Sequence, residues 1–360
     1  MGIKHLHKLL QKYAPDCYEK KHLSEFAYMR VAIDISLYLY KYKAVAGDRW
    51  MESFVYLISC LRKWNIHCIF VYDNKAPIEK QEEQERRREV RAKQGDRVTE
   101  LEHELEVYEN GGEPSEKMVE ICKKEGVVSL LQRNNPDLVT ARRRQYVDTK
   151  LIKRKIESMK SMIISITEDD LQISRDLFDR LQIPYVIAPS EAEAYSSYLC
   201  IHGKVDAVLS EDTDVLAYGA PIFLTKIDTF TDTVTVIRSE SVLENLEMTK
   251  ATFVDLCIML GCDYNTNVPK VGPEKSIAFL KKYGSIEAIT EIKEEDKAIL
   301  NHVRVREMLA MPSEVDFYVP YCGIPDFGKV EEFLRTHGLR CNTGKLRKNL
   351  GESELSFVDD

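Results

Sequence analysis

Several features that place a chain in a special class are missing from these 360 residues. No run approaches the roughly 18–20 apolar residues that a membrane-spanning helix needs. The opening Met1-Gly2-Ile3-Lys4-His5-Leu6 lacks the apolar stretch of a secretory signal. It begins Met-Gly, but Leu6 stands where an N-myristoylation signal needs Ser or Thr. The nine cysteines include no Cys-x-x-Cys pair, and Cys257 and Cys262 have no Cys or His close by to suggest zinc. All nine read as reduced thiols of an intracellular protein, many of them buried. Internal repeats and low-complexity tracts are absent. So is an excess of basic residues: 51 Lys and Arg face 59 Asp and Glu, for a formal net charge of −8. That argues against a general nucleic-acid coat, which is basic. An enzyme with an acid-crowded site and local basic patches remains open.

What is present has the rhythm of an α/β protein. Four short apolar runs stand out: 31–34, 68–73, 184–188 and 206–210, with a fifth at 221–225. They are too short for buried helices and too uniformly apolar for half-exposed strands. Buried strands of a mostly parallel sheet fit them. Amphipathic segments such as Trp50–Trp64 and Leu171–Leu181 separate the runs and predict flanking helices. Past about residue 248 the chain turns helical. Phe253–Leu260 is apolar on a helical period and stops at Gly261, and a second helix is framed by Pro273 and Gly284.

Residues 80–165 interrupt this rhythm. Glu79–Glu109 is almost all charged and reads as a solvated helix, followed by Gly111-Gly112-Glu113-Pro114. A basic stretch comes next: Arg142, Arg143, Arg144, Lys150, Lys153, Arg154, Lys155 and Lys160, opposed locally only by Asp148 and Glu157. An insertion this long between two strands is expected to be a functional lid or disordered.

Acids fall at the ends of the strand-like runs. Asp34 closes the first and Asp73 the second, Glu191 and Glu193 follow the third, and Asp212 and Asp214 follow the fourth. Ligands of open parallel sheets bind beyond the carboxyl ends of the strands, so these acids converge on one cleft. Asp263 follows Gly261. Hydrolysis of a phosphodiester at neutral pH needs an activated water and stabilisation of the leaving oxygen, which two Mg²⁺ ions supply together. Carboxylate oxygens suit Mg²⁺, whereas Cys and His would suggest zinc, and none of the eight histidines lies in these motifs. Taken singly, the acids have structural explanations. Ser190 and Glu193 could form a capping box. Asp212-Thr213-Asp214 could be turn chemistry, and Asp263 could cap a turn. An aspartyl-nucleophile phosphatase is disfavoured, because Asp34-Ile35-Ser36 is not Asp-x-Asp.

The motifs resemble the flap endonuclease family within the XPG-like 5′ nuclease superfamily. The similarity runs through Met1-Gly2-Ile3-x-x-Leu6, Val31-Ala32-Ile33-Asp34-x-Ser36 and Val71-Tyr72-Asp73-x-Lys75-x-Pro77. It continues through Ala188-Pro189-Ser190-Glu191-Ala192-Glu193-Ala194, Ser210-Glu211-Asp212-Thr213-Asp214 and Leu260-Gly261-Cys262-Asp263-Tyr264. The resemblance implies a PIN-like nuclease core in two halves, 1–79 and 166–248. A helical arch or gateway at 80–165 would divide them, with a duplex-binding helix–turn–helix at 249–290 and a helical tail at 291–360 packed on the core. It further implies that Asp34, Asp73, Glu191 and Glu193 hold one metal and that Asp212, Asp214 and Asp263 hold the other. The metal would be Mg²⁺, with Mn²⁺ able to substitute.

By the same resemblance, Lys80 and Arg87 are gateway cations, and their spacing of seven, about two helical turns, would point both one way. Tyr40 would stack on a base near the cut, and core packing is its alternative. Gly2, Gly272, Lys275, Lys281 and Lys282 are DNA-contact candidates. Backbone at Asn267, Val268 and Val271 would hold K⁺ in the helix–turn–helix, where Lys270 replaces the family's glycine.

Other departures are the long 80–165 insertion, the lack of a sliding-clamp motif or basic tail, and the absence of the family's arginines near Leu57 and Cys60. These suit a viral or otherwise specialised member. The implied activity is cleavage of DNA at 5′ flaps, nicks or gaps, by endonuclease and 5′→3′ exonuclease action, in replication, repair or recombination. A monomer with DNA and no membrane as partner is expected, in the nucleus if cellular or at a cytoplasmic replication site if viral. The rival on the same scaffold is a Holliday-junction or exonuclease specialist. An inert DNA-binding protein would have lost metal acids, and none is lost.

Overall fold

The computed structural model describes residues 2–74, 77–125, 147–310 and 317–351. Lys75 of the second motif, Arg142, Arg143 and Arg144 of the basic stretch, and part of the expected tail lie outside the described residues.

All five apolar runs are strands of one seven-stranded sheet. The strands are β1 (Glu19–His22), β2 (Arg30–Asp34), β3 (His67–Tyr72), β4 (Tyr185–Ile187), β5 (Ala207–Leu209), β6 (Ile222–Asp228) and β7 (Thr233–Arg238), in the order β1-β7-β6-β5-β2-β3-β4. The five expected strands pair in parallel, whereas β7 on β6 and β1 on β7 are antiparallel. Those two outer strands were not anticipated. β7 alternates in Thr-Val-Thr-Val-Ile, which is a visible signal; Glu19-Lys20-Lys21-His22 carries none, and its pairing with β7 makes it a strand.

Alternation along the inner strands β2, β3 and β5 fills a core on both faces. Ala32, Ile69, Val71 and Val208 join one hydrophobic cluster. Val31, Ile33, Phe70 and Leu209 join the other. On the second face Phe178, from the helix Glu168–Leu181, stacks on Phe70 with ring centroids 4.1 Å apart. Chain order runs outward from β2 through β3 to β4 on one side and from β5 to β6 on the other. The crevice beyond the β2 and β5 carboxyl ends is therefore the switch point of the sheet.

The chain divides into two compact units: residues 1–42, 48–83 and 166–360, and residues 43–47 and 84–165. In the second unit the expected charged helix forms and most of its described residues face solvent, but one stripe of it is buried. Gln81–Glu109 is one 29-residue helix. Its Val98, Leu101 and Leu105 are buried with Met118, Val119 and Cys122 of Glu116–Lys124 and with Ile152 and Ile156 of Thr149–Lys160. The three apolar positions recur at helical spacing, a stripe that the surrounding charge conceals. Basic residues of the same unit find acids that are distant in sequence: Lys153 pairs with Glu109 at 2.7 Å, and Lys160 with Glu102 at 2.7 Å. Asp148 caps the Thr149–Lys160 helix through the Lys150 and Leu151 N–H groups. No helix among the described residues is long and apolar enough to cross a membrane.

Candidate active site

β2 ends on Asp34, which is 2% exposed, and its Oδ1 accepts the Ser36 N–H at 2.8 Å. One strand over, Asp73 leaves the end of β3. Its Oδ2 accepts the Ser36 hydroxyl at 2.6 Å and its Oδ1 the Ala192 N–H at 2.8 Å. Asp73 thus satisfies an otherwise free donor of the helix Ala192–Ile201. That helix has Glu191 at its N-cap position with no side-chain cap, so the Ser190–Glu193 capping box does not form. Glu191 is buried and Glu193 lies in the first turn.

Beyond β5, Asp212 does make the turn anticipated for it. Its Oδ1 accepts the Asp214 N–H at 3.0 Å, and its own N–H donates to Ser210 Oγ at 3.0 Å. Turn chemistry does not account for Asp214, whose Oδ1 is buried without a hydrogen-bond partner. Asp263 follows the helix Lys250–Leu260, and its Oδ2 lies 3.4 Å from Lys80 Nζ. Lys80 also pairs closely with Glu191 Oε1. The fold therefore brings Lys80 and the acids into one electrostatic cluster.

Burial comes first in raising these acids, and mutual repulsion adds to it. Asp34 is held well above the ordinary carboxylate range by burial, then by Glu193 and Asp73. Burial, then Asp73 and Asp212, push Glu193 up to about 7. Asp214 is raised by burial, then by Asp212, Asp263 and Glu193. Burial also raises Asp212. For Lys80, burial opposes the charge, but the Glu191, Glu193 and Asp263 carboxylates outweigh it and keep the ammonium protonated. Even with this ammonium, several acids stay above their ordinary range. An all-oxygen donor set short of positive charge, with an orphaned Asp214 Oδ1, fits a hard divalent cation. Among the described residues no three such side chains already converge as a metal cage. The carboxylates turn instead to Lys80, Ser36, Tyr264 and backbone N–H groups.

Gly2 abuts the same acids. Its φ is 89°, and a Cβ there would lie 1.8 Å from Asp212 Oδ1 and 2.7 Å from Asp214 Oδ1. Tyr40 is half-buried on the helix Ile35–Ala46. Lys80 closes a short 3-10 turn, Ile78–Lys80, ahead of the long helix, so the two-turn phase argument does not run unbroken from Lys80 to Arg87. Arg87 belongs to the second unit.

In the helix–turn–helix, Lys250–Leu260 and Pro273–Tyr283 flank a turn held by asparagines. Asn265 Nδ2 donates to Ile258 O at 2.9 Å, and Asn267 Nδ2 to Met259 O at 3.1 Å. The Val271 N–H donates to Val268 O at 3.2 Å. Lys270 adopts the left-handed φ of 65° that a glycine would take more easily. Gly272 caps the second helix with open space around it. The candidate lysines are not bare: Lys275 donates to Lys270 O, Lys281 pairs with Glu247, and Lys282 pairs with Glu291. Sequence reading missed Tyr218 and Tyr264, whose hydroxyls reach Glu191. Tyr264 directly follows Asp263, but adjacency alone did not signal that contact.

A buried carboxylate cluster at the switch point of a parallel sheet has the donor chemistry that a metal-assisted hydrolase requires. Comparison with known proteins makes this specific. The XPG N-terminal domain matches residues 1–94 and the XPG I-region matches 182–263. A probable RAD2-like endonuclease of Invertebrate iridescent virus 3 is 33% identical over 340 residues, covering 88% of this chain and 87% of that protein. Flap endonuclease 1 of Enterocytozoon bieneusi is 30% identical over 311 residues, covering 81% and 73%. The fold is similar to the catalytic core of Rad2 in complex with DNA substrate, with a TM-score of 0.62 at 20% identity over 97% of this chain and 99% of that one. The chain belongs to the XPG-like flap endonuclease family of structure-specific 5′ nucleases.

Proposed function

We propose that the acid cluster hydrolyses DNA phosphodiesters at 5′ flaps, nicks or gaps, with both endonuclease and 5′→3′ exonuclease action. The observation that carries this reading is the convergence of strand-end acids with Lys80 in one buried cluster. Asp34, Asp73, Glu191 and Glu193 would hold one Mg²⁺, and Asp212, Asp214 and Asp263 a second. Such a pair supplies an activated water and charge stabilisation on the leaving oxygen.

The chain's own groups do the positioning. Asp73, bonded to Ser36 and Ala192, ties the strand end to two helix starts, so the carboxylates meet the substrate pre-set. Lys80 brings a half-buried cation to the scissile phosphate, and Arg87 is the second gateway cation. Residues 1–79 and 166–248 act as the nuclease core, 80–165 as the gateway that admits a free 5′ end, 249–290 as the duplex grip with its K⁺, and 291–360 as a supporting tail. Tyr40, Gly2, Gly272, Lys275, Lys281 and Lys282 contact the DNA. The enzyme works as a monomer in replication, repair or recombination, in the nucleus or at a viral replication site.

The test is cleavage of labelled flap, nicked, recessed and four-way DNAs by the wild type and Asp212→Asn. The expected result is Mg²⁺-dependent cutting that favours flaps, and a variant that binds DNA without cutting. Turnover by Asp212→Asn would sink the metal assignment, and a preference for four-way DNA would move the reading to junction resolution.

A further inference from the structure

Glu191 is held at both ends of its carboxylate. Oε1 faces the Lys80 ammonium. Oε2 accepts the Tyr264 hydroxyl in close contact and lies 3.4 Å from the Tyr218 hydroxyl. The two hydroxyls are 2.6 Å apart. A phenol has a single proton to give. Tyr264 donates its proton to Glu191, which leaves its oxygen to accept from Tyr218. The order Tyr218 to Tyr264 to Glu191 satisfies every group, and each bond polarises the next in a dry setting. The setting is dry: Tyr218 is 3% exposed, Glu191 6% and Tyr264 7%.

The placement of the two tyrosines gives this chain its consequence. Tyr218 ends the five-residue helix that Asp214 begins. Tyr264 follows Asp263 directly. Two hydroxyls therefore fasten the segments bearing Asp214 and Asp263 to Glu191, which follows β4 at the start of the helix Ala192–Ile201. We propose that Tyr264, backed by Tyr218, is a positioning residue that fixes Glu191 and the spacing between the two sets of acids, and so sets the affinity for divalent cations. This rests on the reading of the acids as a cation site. Tyr264→Phe keeps the ring and its packing but removes the close donor to Glu191 Oε2, which is left with only the Tyr218 hydroxyl 3.4 Å away. Groups that orient metal-binding carboxylates typically contribute about 10–100-fold in metal affinity.

The experiment is calorimetric titration of Mn²⁺ into the full chain without DNA, for the wild type, Tyr264→Phe and Tyr218→Phe. Circular dichroism establishes that each variant is folded. Tyr264→Phe is expected to bind Mn²⁺ about tenfold or more weakly. Tyr218→Phe, which keeps the direct bond to Glu191, is expected to show a smaller loss. In cleavage assays the Tyr264→Phe defect should shrink as Mg²⁺ is raised, which a general packing defect would not do. Wild-type affinity in Tyr264→Phe overturns the proposal. If Tyr264→Phe does not fold, Tyr218→Phe decides: weakened binding supports the role and unchanged binding overturns it. A wild type that binds no Mn²⁺ overturns the cation reading itself, and this role with it.

Discussion

Single residues show how the site resolves ambiguities that a sequence leaves open. Asp212 is a turn residue and a cluster acid at once, because one oxygen accepts the Asp214 N–H while burial keeps the group against its neighbours. Gly2 has a steric reason to be glycine, since a Cβ would enter the van der Waals space of Asp212 and Asp214. Gly2→Ala is expected to lower cleavage by about 10²-fold through misplacement of those acids, with single-turnover rates at saturating DNA as the check. Lys270 is the opposite case, a side chain at a left-handed position. Lys270→Gly is expected to raise stability by about 0.5–1 kcal/mol, as strain relief exceeds the added freedom of the unfolded chain. Urea denaturation measures it, and a destabilised variant would contradict the strain assignment.

At the scale of elements, the helices are held by a few buried contacts that packing made visible. Phe178 carries the helix Glu168–Leu181 onto Phe70 and Phe54. Phe178→Ala is expected to cost about 3–5 kcal/mol, read as a lower denaturation midpoint at unchanged slope. Arg306, on the helix His302–Leu309, pairs with Asp255 at 2.6 Å and closely with Glu287. Its hydrogen bond holds the Glu287 carboxyl down to about 2. A depressed folded value means stability that is present above the unfolded value near 4.5 and lost as pH falls toward about 2. The stability gap between wild type and Arg306→Met should therefore be widest near neutral pH and close in acid. Equal gaps at pH 6 and pH 3 would contradict this.

Legibility differed between elements for physical reasons. The inner parallel strands β2, β3 and β5 announced themselves as apolar runs because both their faces are buried, whereas β4, at the sheet edge, is apolar but only partly covered. β1 did not, since Glu19-Lys20-Lys21-His22 owes its conformation to β7. Among the site residues, acids at strand ends could be read from position. The Tyr218–Tyr264–Glu191 chain could not, because it joins residues distant in sequence whose meeting only the fold creates.

For the whole molecule, the proposed labour divides between the two compact units. The unit of residues 84–165 has its own buried core around Leu101, Met118 and Ile152, and the sheet with its acids has another. Replacing 84–165 by a short flexible linker is expected to leave the sheet unit folded, with slower cutting because Arg87 is lost and with reduced discrimination between flaps and other junctions. Comparing the same DNA panel before and after excision checks this, and unchanged discrimination would remove the insertion from substrate selection. The acid cluster carries the central claim, and Mn²⁺ soaked into crystals and located by anomalous scattering addresses it most directly. Two ions are expected, one among Asp34, Asp73, Glu191 and Glu193 and the other among Asp212, Asp214 and Asp263. Crystals that bind Mn²⁺ only elsewhere, or hold none among these acids, would contradict the account.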